Sequence, residues 1–245
     1  MRAIKFTRDF ISHYILRRFL YRVDPNGTHD IFLTTSILHL LDKADLDQTI
    51  NLLEFGTGGK SSKIMREFMD NDKRIKLFSF ENNISWLNKH KELYPNGDRH
   101  ELIYVQNENW VESALKVLSL IPKSQSVFAF IDSAPWSSRS SLVSLIRQRS
   151  DIFLIHDVDY FPHNKIFGIE LSPIQFRKTG LIRYGKLDVD LLGERNYDDL
   201  AKFWVEAFPD EPGYYTGPPT LIASDTIDVR SLAYSSDVIR FKSKS

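Results

Sequence analysis

The sequence predicts an α/β fold in which helices cover both faces of a mostly parallel, doubly wound sheet. The chain has 245 residues with 42% hydrophobic and 26% charged content, which is enough apolar material for one large domain with a full core. From Asn51 onward, short apolar runs alternate with longer mixed segments, which is typical of βα units. A glycine-rich turn at 56–59 follows the first of these runs, as at many ligand-binding strand ends.

Each predicted strand is a short apolar run, and each predicted helix is the longer segment behind it. The predicted strands are 50–55, 75–80, 102–105, 127–131 and 152–155. The predicted helices are 61–69, 84–94, 110–120 and 137–148. Because ligands bind beyond the carboxyl ends of parallel strands, the residues directly after each strand are the candidates for a site.

The N-terminal part, 1–48, is predicted to be a helical extension ahead of a single domain over 49–245. Within it, the segment from Ile4 to Val23 mixes aromatic and arginine residues in the pattern of a basic amphipathic helix. This helix is expected either to contact an anionic membrane surface or a partner subunit, or to pack across the sheet. Asp30 is expected to cap a helix that follows it.

The C-terminal part has a less regular pattern. A helix is predicted over 197–208, followed by a turn-rich segment and a last strand over 220–223 that returns to the sheet. The aromatic turn-rich segment is a candidate for the acceptor site or for a subunit contact, so a homodimer is left open.

Composition excludes several classes of function. Thirty-two basic residues balance thirty-two acidic ones, so no global charge favours nucleic acid. Cysteine is absent, which removes disulfides, thiolate catalysis and cysteine zinc sites. No apolar run approaches the roughly 18 residues of a membrane span, and no signal peptide is recognisable. A cytoplasmic protein without a transmembrane segment is expected.

The glycine turn is the first candidate binding site. It reads Glu54-Phe55-Gly56-Thr57-Gly58-Gly59-Lys60, where glycines allow a ligand to approach the backbone and the next helix presents free amides. A phosphate-binding P-loop requires glycine at position 54, which is glutamate. A dinucleotide fingerprint asks for glycine or alanine at position 61, which is serine. A plain strand-to-helix turn is the alternative.

Two later strand ends supply partners for this turn. Glu81 ends the second strand, where a carboxylate can accept both hydroxyl hydrogens of a ribose. By the same reasoning, Asn107 or Glu108, after the third strand, is expected beside the base of a bound nucleoside. A solvated loop acid is the alternative for Glu81.

These residues resemble the class I S-adenosylmethionine-dependent methyltransferase family over roughly 51–159. Its first motif is an acid-x-Gly-x-Gly-Gly turn like that at 54–59, and its second is an acid like Glu81. The resemblance implies a Rossmann-like methyltransferase sheet that ends in an antiparallel strand pair, here from the apolar runs near Leu181 and Thr220. It also implies cofactor-binding roles for Glu54, Gly56, Thr57, Gly58, Gly59, Glu81, Asn107 and Asp132.

The fourth and fifth strand ends are similar to the metal-dependent O-methyltransferase branch of this family. That branch places an aspartate after each strand and an aromatic and a basic residue soon after the first. The resemblance implies metal-ligand roles for Asp132 and Asp157, a divalent cation such as Mg²⁺, and substrate-binding roles for Trp136 and Arg139. The pair reads His156-Asp157 instead of Asp-Asn, so the third ligand is open between His156 and Asp159.

A metal-free alternative uses the same residues, since His156 beside Asp157 can take a proton from an acceptor hydroxyl. Asp132 as a helix cap and His156 as a strand-end residue are the structural alternatives. Tyr160 and His163, in the loop after the fifth strand, are candidate substrate-binding residues.

The leading hypothesis is therefore an S-adenosylmethionine-dependent O-methyltransferase acting on a small-molecule hydroxyl, with a sugar or glycan precursor favoured over a catechol. A nicotinamide-dependent oxidoreductase and a non-catalytic cofactor-binding module are the two other classes of function considered.

Overall fold

The computed structural model describes residues 28–135, 137–156, 165–166, 169–170, 201–207, 220–229 and 232. Five helices are present in these ranges: α1 (Thr28–Lys43), α2 (Ser61–Asn71), α3 (Ile84–Leu93), α4 (Trp110–Leu120) and α5 (Ser137–Ile146). The strands are β1 (Ile50–Phe55), β2 (Ile75–Glu81), β3 (His100–Tyr104), β4 (Ser126–Ile131), β5 (Ile152–His156), β6 (Lys165–Ile166), β7 (Ile169–Glu170), β8 (Phe203–Ala207) and β9 (Thr220–Ser224).

Seven of the described strands form one mixed sheet in the order β3-β2-β1-β4-β5-β9-β8, and β6 pairs with β7 separately. The strands from β3 to β5 are parallel, whereas β9 runs antiparallel to both β5 and β8. The strand order reverses at β1, because β2 and β3 lie on one side of it and β4 and β5 lie on the other. In doubly wound sheets this reversal opens the crevice in which ligands bind.

Successive side chains of each strand point to opposite faces of the sheet, and an apolar core lies on each face. Leu53 and Phe55 of β1 face a core that includes side chains of α4 and α5, whereas Ile50 and Leu52 face a core shared with α1 and α2. Both faces of the sheet are thus covered, as expected for buried parallel strands. Glu54 lies on the same face as Leu52, because neighbours two apart in a strand point the same way.

The predicted doubly wound fold is confirmed, including the terminal antiparallel pair. The first strand has the predicted bounds, and the other predicted parallel strands differ from the observed ones by one or two residues at an end. The final strand is Thr220–Ser224. The run near Leu181 lies outside the described residues, and β8 supplies the partner of β9.

The predicted helix over 197–208 is wrong, because Phe203–Ala207 is a strand. Its sequence, Phe-Trp-Val-Glu-Ala, is rich in aromatic and β-branched residues that favour strands, and pairing with β9 satisfies its backbone. The prediction that Asp30 caps a helix is also wrong, since α1 begins at Thr28 and includes Asp30.

Within the predicted extension, α1 is the part that the structure describes. Its Phe32, Leu33, Ile37 and Leu40 are buried in the core shared with α2, so this helix packs on the sheet. The predicted amphipathic helix over 4–23 lies outside the described residues. None of the helices in the described part of the chain is long and apolar enough to cross a membrane.

Candidate cofactor and active site

The glycine turn after β1 is closed against the end of β4. Gly56 has a φ of 89°, and a Cβ atom there would lie 2.3 Å from the backbone oxygen of Asp132. The Gly56 amide donates to the Phe80 carbonyl at 2.9 Å, and the Asp132 amide donates to the Phe55 carbonyl at 2.8 Å. Glycine is required at 56 both by the left-handed backbone and by this close approach. A Cβ atom at Gly58 would lie 2.6 Å from Ser61 Oγ, whereas one at the exposed Gly59 would meet nothing within 4 Å.

Glu54 lies under the turn and is fully buried. Its Oε1 accepts hydrogen bonds from the Ser61 and Ser62 hydroxyls, each at 2.8 Å, and its Oε2 accepts one from Ser79 at 2.9 Å. Burial raises the pKa of Glu54 from 4.5 to about 7, against the opposing effect of these hydrogen bonds. Glu54 thus positions the turn from below, and its direct contact with a cofactor stays a prediction.

Glu81 binds the turn from the side. Its Oε2 accepts from the Thr57 amide at 3.0 Å and from the Thr57 hydroxyl at 2.7 Å, while its Oε1 accepts from the Asn83 amide at 2.7 Å. Trp86, in the first turn of α3, donates its indole hydrogen to the Thr57 carbonyl at 2.7 Å. The second predicted acid therefore lies directly beside the glycine turn, where a ribose could exchange with these donors.

Asn107, which is predicted to lie beside the cofactor's base, is at the same edge of the sheet as Glu81. Its Oδ1 accepts from Asn82 at 2.6 Å, and Asn82 also donates to the Ala134 carbonyl at 2.8 Å. The Ala134 carbonyl accepts a second bond from the Trp110 indole at 3.0 Å. The loops after β2, β3 and β4 are thus tied together by side-chain amides at the rim of the site.

Asp132 and His156 lie together at the ends of β4 and β5, and Arg139 of α5 binds both. The Arg139 side chain is 5% exposed and donates to Asp132 Oδ1 at 2.8 Å. It also donates to the Ser133 carbonyl at 2.9 Å and to the His156 carbonyl. His156 Nδ1 lies 3.5 Å from Asp132 Oδ1. The predicted substrate residue Arg139 therefore lies inside the site as a structural cation.

Among the predicted and candidate metal ligands, Asp132 and His156 are the ones that the structure describes. No group of three metal-binding side chains occurs in the described ranges, and the Oδ1 atom of Asp132 is bound by the Arg139 guanidinium. A second cation at this oxygen would be repelled by that fixed positive charge. Asp157, the other predicted ligand, lies outside the described residues, and its metal role stays a prediction.

Trp136, Tyr160 and His163 also lie outside the described residues. Sequence reasoning missed Ser79, Asn82, Trp86 and His100, which hold the site together. One signal for Ser79 was present, since a serine interrupts the apolar side of β2 where Ile75 and Leu77 are buried. Ser61, which departs from the dinucleotide motif, donates its hydroxyl hydrogen to Glu54.

Comparison with known proteins identifies the fold. Neither a protein-family model nor a curated protein sequence matches this chain. A solved structure of a probable spermidine synthase from Corynebacterium glutamicum is 13% identical, with a TM-score of 0.52 over 89% of this chain and 71% of that one. A putative caffeoyl-CoA O-methyltransferase from Staphylococcus aureus is 14% identical, with a TM-score of 0.44 over 91% of this chain and 98% of that one.

A third match is Aeropyrum pernix fibrillarin with natively bound S-adenosyl-L-methionine, which is 14% identical with a TM-score of 0.41 over 78% of this chain and 73% of that one. The fold assignment rests on the match to the probable spermidine synthase, whose TM-score is 0.52. Together with the observed strand order, it confirms the doubly wound, Rossmann-like fold for this chain.

Proposed function

We propose that this protein is an S-adenosylmethionine-dependent methyltransferase that methylates a hydroxyl group of a small molecule, with a sugar or glycan precursor as the favoured acceptor. The observation that carries the proposal is the convergence of both acids on one glycine turn. Glu54 supports the turn from below and Glu81 binds Thr57 from the side. A plain strand-to-helix connection has no need of two buried carboxylates.

The residues at the turn fit an adenosyl cofactor in their chemistry. Glu81 is buried with one oxygen on Thr57 and the other on Asn83, and it would exchange these donors for ribose hydroxyls. Asn82 and Asn107 offer amide groups for the base. The exposed turn residues Gly59 and Lys60 leave the backbone open to the amino-acid end. When bound, S-adenosylmethionine supplies an electrophilic methyl group on its sulfonium.

The chain's own contribution to transfer is assigned to Asp132 and His156, and Asp157, the next residue in the sequence, stays a candidate. His156 would accept the acceptor's hydroxyl proton, and Asp132, 3.5 Å from its Nδ1, would hold the ring and stabilise its protonated form. Arg139 keeps Asp132 in place through the bond at 2.8 Å. Because Arg139 already supplies a positive charge here, we propose that transfer proceeds without a divalent cation.

The test combines ligand binding with activity. Calorimetry with S-adenosylmethionine, S-adenosylhomocysteine and NAD⁺ separates a methyltransferase from the oxidoreductase alternative by which ligand binds. Formation of S-adenosylhomocysteine is then measured with a panel of free sugars, sugar nucleotides and catechols, with and without a chelator. Binding of NAD⁺ alone, or of none of the three, contradicts the proposal. Loss of activity on chelation contradicts its metal-free part only.

For catalysis, His156→Gln is expected to abolish turnover while cofactor affinity stays within about threefold. His39→Gln, in a half-buried position on α1 outside the site, is the matched control. Full activity of the His156 variant would remove this residue from the mechanism.

A further inference from the structure

A row of polar side chains crosses the sheet beneath the glycine turn, on the face that α2 covers. Ser79 Oγ donates to Glu54 Oε2 at 2.9 Å and lies 3.3 Å from His100 Nε2. On its other side, His100 Nδ1 lies 3.0 Å from Arg66 Nη1. Glu54, Ser79 and His100 are buried, whereas the Arg66 side chain is 23% exposed. The row therefore joins a carboxyl under the turn to the surface of α2.

The hydrogens in this row have two consistent arrangements. An ionised Glu54 only accepts, so Ser79 donates to it and accepts from His100 Nε2, while Nδ1 accepts from Arg66. A protonated Glu54 instead donates to Ser79, and Ser79 donates to His100 Nε2. The hydrogen on Nδ1 then has the Pro95 carbonyl as its acceptor, 3.4 Å away. Every buried group keeps a partner in both arrangements. In the second, Arg66 Nη1, a donor that lies 3.0 Å from Nδ1, has to turn to the Pro95 carbonyl, its other acceptor at 3.5 Å.

Passing from the first arrangement to the second moves one proton to Glu54. A proton taken up at His100 Nδ1 releases the Nε2 hydrogen to Ser79, whose own hydrogen passes to Glu54. Ser79 and His100 each gain one hydrogen and lose one, so only Glu54 changes charge. Burial raises the pKa of Glu54 to about 7, and both arrangements are therefore populated near neutral pH.

We propose that Ser79 and His100 are positioning residues that relay a proton to Glu54, and that the charge of Glu54 sets the preference for the sulfonium cofactor over its demethylated product. This inference rests on the proposed function. Ser62 provides the link to the turn, since it accepts from the Gly58 amide at 3.1 Å and donates to Glu54. The sulfonium carries a positive charge that the product lacks, so only an ionised Glu54 attracts it selectively.

The surroundings of His100 favour its neutral form, which a relay requires. Burial has the largest effect in lowering the pKa of His100, and Arg66 and His90 lower it further, against Asp70 and the Pro95 carbonyl, which raise it. The charged and titratable side chains around the row are Arg66 and Asp70 on α2, Glu81 on β2, His90 on α3, and Tyr94 directly after α3.

The experiment measures affinities for S-adenosylmethionine and S-adenosylhomocysteine by calorimetry from pH 5.5 to 8.5. In the unmodified protein, the preference for the sulfonium form should rise roughly fivefold or more across this range. Glu54→Gln should give a low, constant preference. Ser79→Ala should move the midpoint to higher pH, because one donor to the carboxylate is lost. His39→Gln, a half-buried histidine on α1 outside the row, is the matched control and should keep the original profile.

Nitrogen-15 NMR of the His100 ring tests the relay without any cofactor. The hydrogen should lie on Nε2 at pH 8.5 and on Nδ1 at pH 5.5. A constant tautomer, or a preference that does not vary with pH while both ligands bind, overturns this inference alone. If neither ligand binds, both the proposed function and the proposed selectivity are wrong. Circular dichroism confirms folding of each variant, and Ser79→Ala keeps the test decisive if Glu54→Gln does not fold.

Discussion

Replacing Glu54 by glutamine should change how the stability of the protein depends on pH. The pKa of Glu54 is raised by burial from 4.5 to about 7. Below pH 4.5 the carboxyl is protonated in both the folded and the unfolded chain, so its contribution to stability is fully present. Between pH 4.5 and 7 unfolding releases a proton, and stability falls as pH rises. Above pH 7 the carboxyl is ionised in both states.

The magnitude follows from the size of the shift. One pKa unit corresponds to about 1.4 kcal/mol, so the move from 4.5 to about 7 corresponds to about 3 kcal/mol of stability lost across this window. A glutamine is nearly isosteric and does not titrate. The difference in unfolding free energy between the natural protein and Glu54→Gln should therefore fall by about 3 kcal/mol from pH 4.5 to 8.

Urea denaturation at half-unit pH intervals measures this difference, because other titrating groups cancel between the two proteins. Ser79→Ala should move the window to higher pH, since the Ser79 hydroxyl lowers the pKa of Glu54. A difference that stays constant between pH 4.5 and 8 would refute the reasoning, because a buried carboxyl with a raised pKa cannot be silent in that range.

The remaining predictions concern the turn and its supports. Gly56→Ala should destabilise the protein by at least about 1–2 kcal/mol from its positive φ alone, with more from the contact with Asp132. Gly59→Ala is the control, because a Cβ atom there meets nothing within 4 Å. Equal urea midpoints for the two variants would contradict this prediction. Arg139→Met should cost about 2–3 kcal/mol in thermal or urea unfolding, because it removes the bonds of a buried guanidinium to Asp132 and to the Ser133 and His156 carbonyls, and an unchanged stability would show that these bonds are not needed. Trp86→Phe removes one hydrogen bond to Thr57 and should weaken cofactor binding about fivefold by calorimetry. An unaltered affinity would show that Trp86 does not contribute to the cofactor site. Glu81→Gln should weaken the same binding by roughly tenfold or more, and retained affinity would remove Glu81 from the cofactor site.

The parallel part of the sheet could be predicted because burial on both faces leaves continuous apolar runs in the sequence. The six residues of β1 are all buried, and the run had the same bounds in sequence and structure. The strand at the antiparallel edge of the sheet was harder to predict. The strand at 203–207 owes its conformation to pairing with β9, a partner distant in sequence, and local pattern alone favoured a helix.

The candidate site was predictable in position but not in its internal contacts. Glu54 was identified through the resemblance of 54–59 to the acid-x-Gly-x-Gly-Gly motif, and Glu81 through its place at the end of the second strand. The sequence could not show that Arg139 binds Asp132, because that contact depends on how α5 packs over the ends of two strands. His100 was missed since the third strand was predicted to begin at 102, which placed this histidine in a loop.

A crystal structure of the protein with S-adenosylmethionine bound would test the proposed cofactor site. The cofactor should lie at the carboxyl ends of β1 and β2, with its ribose hydroxyls on Glu81 and its amino-acid end over Gly56 and Gly58. The sulfonium methyl should point towards His156. A cofactor found elsewhere, or one whose ribose makes no contact with Glu81, would contradict the account.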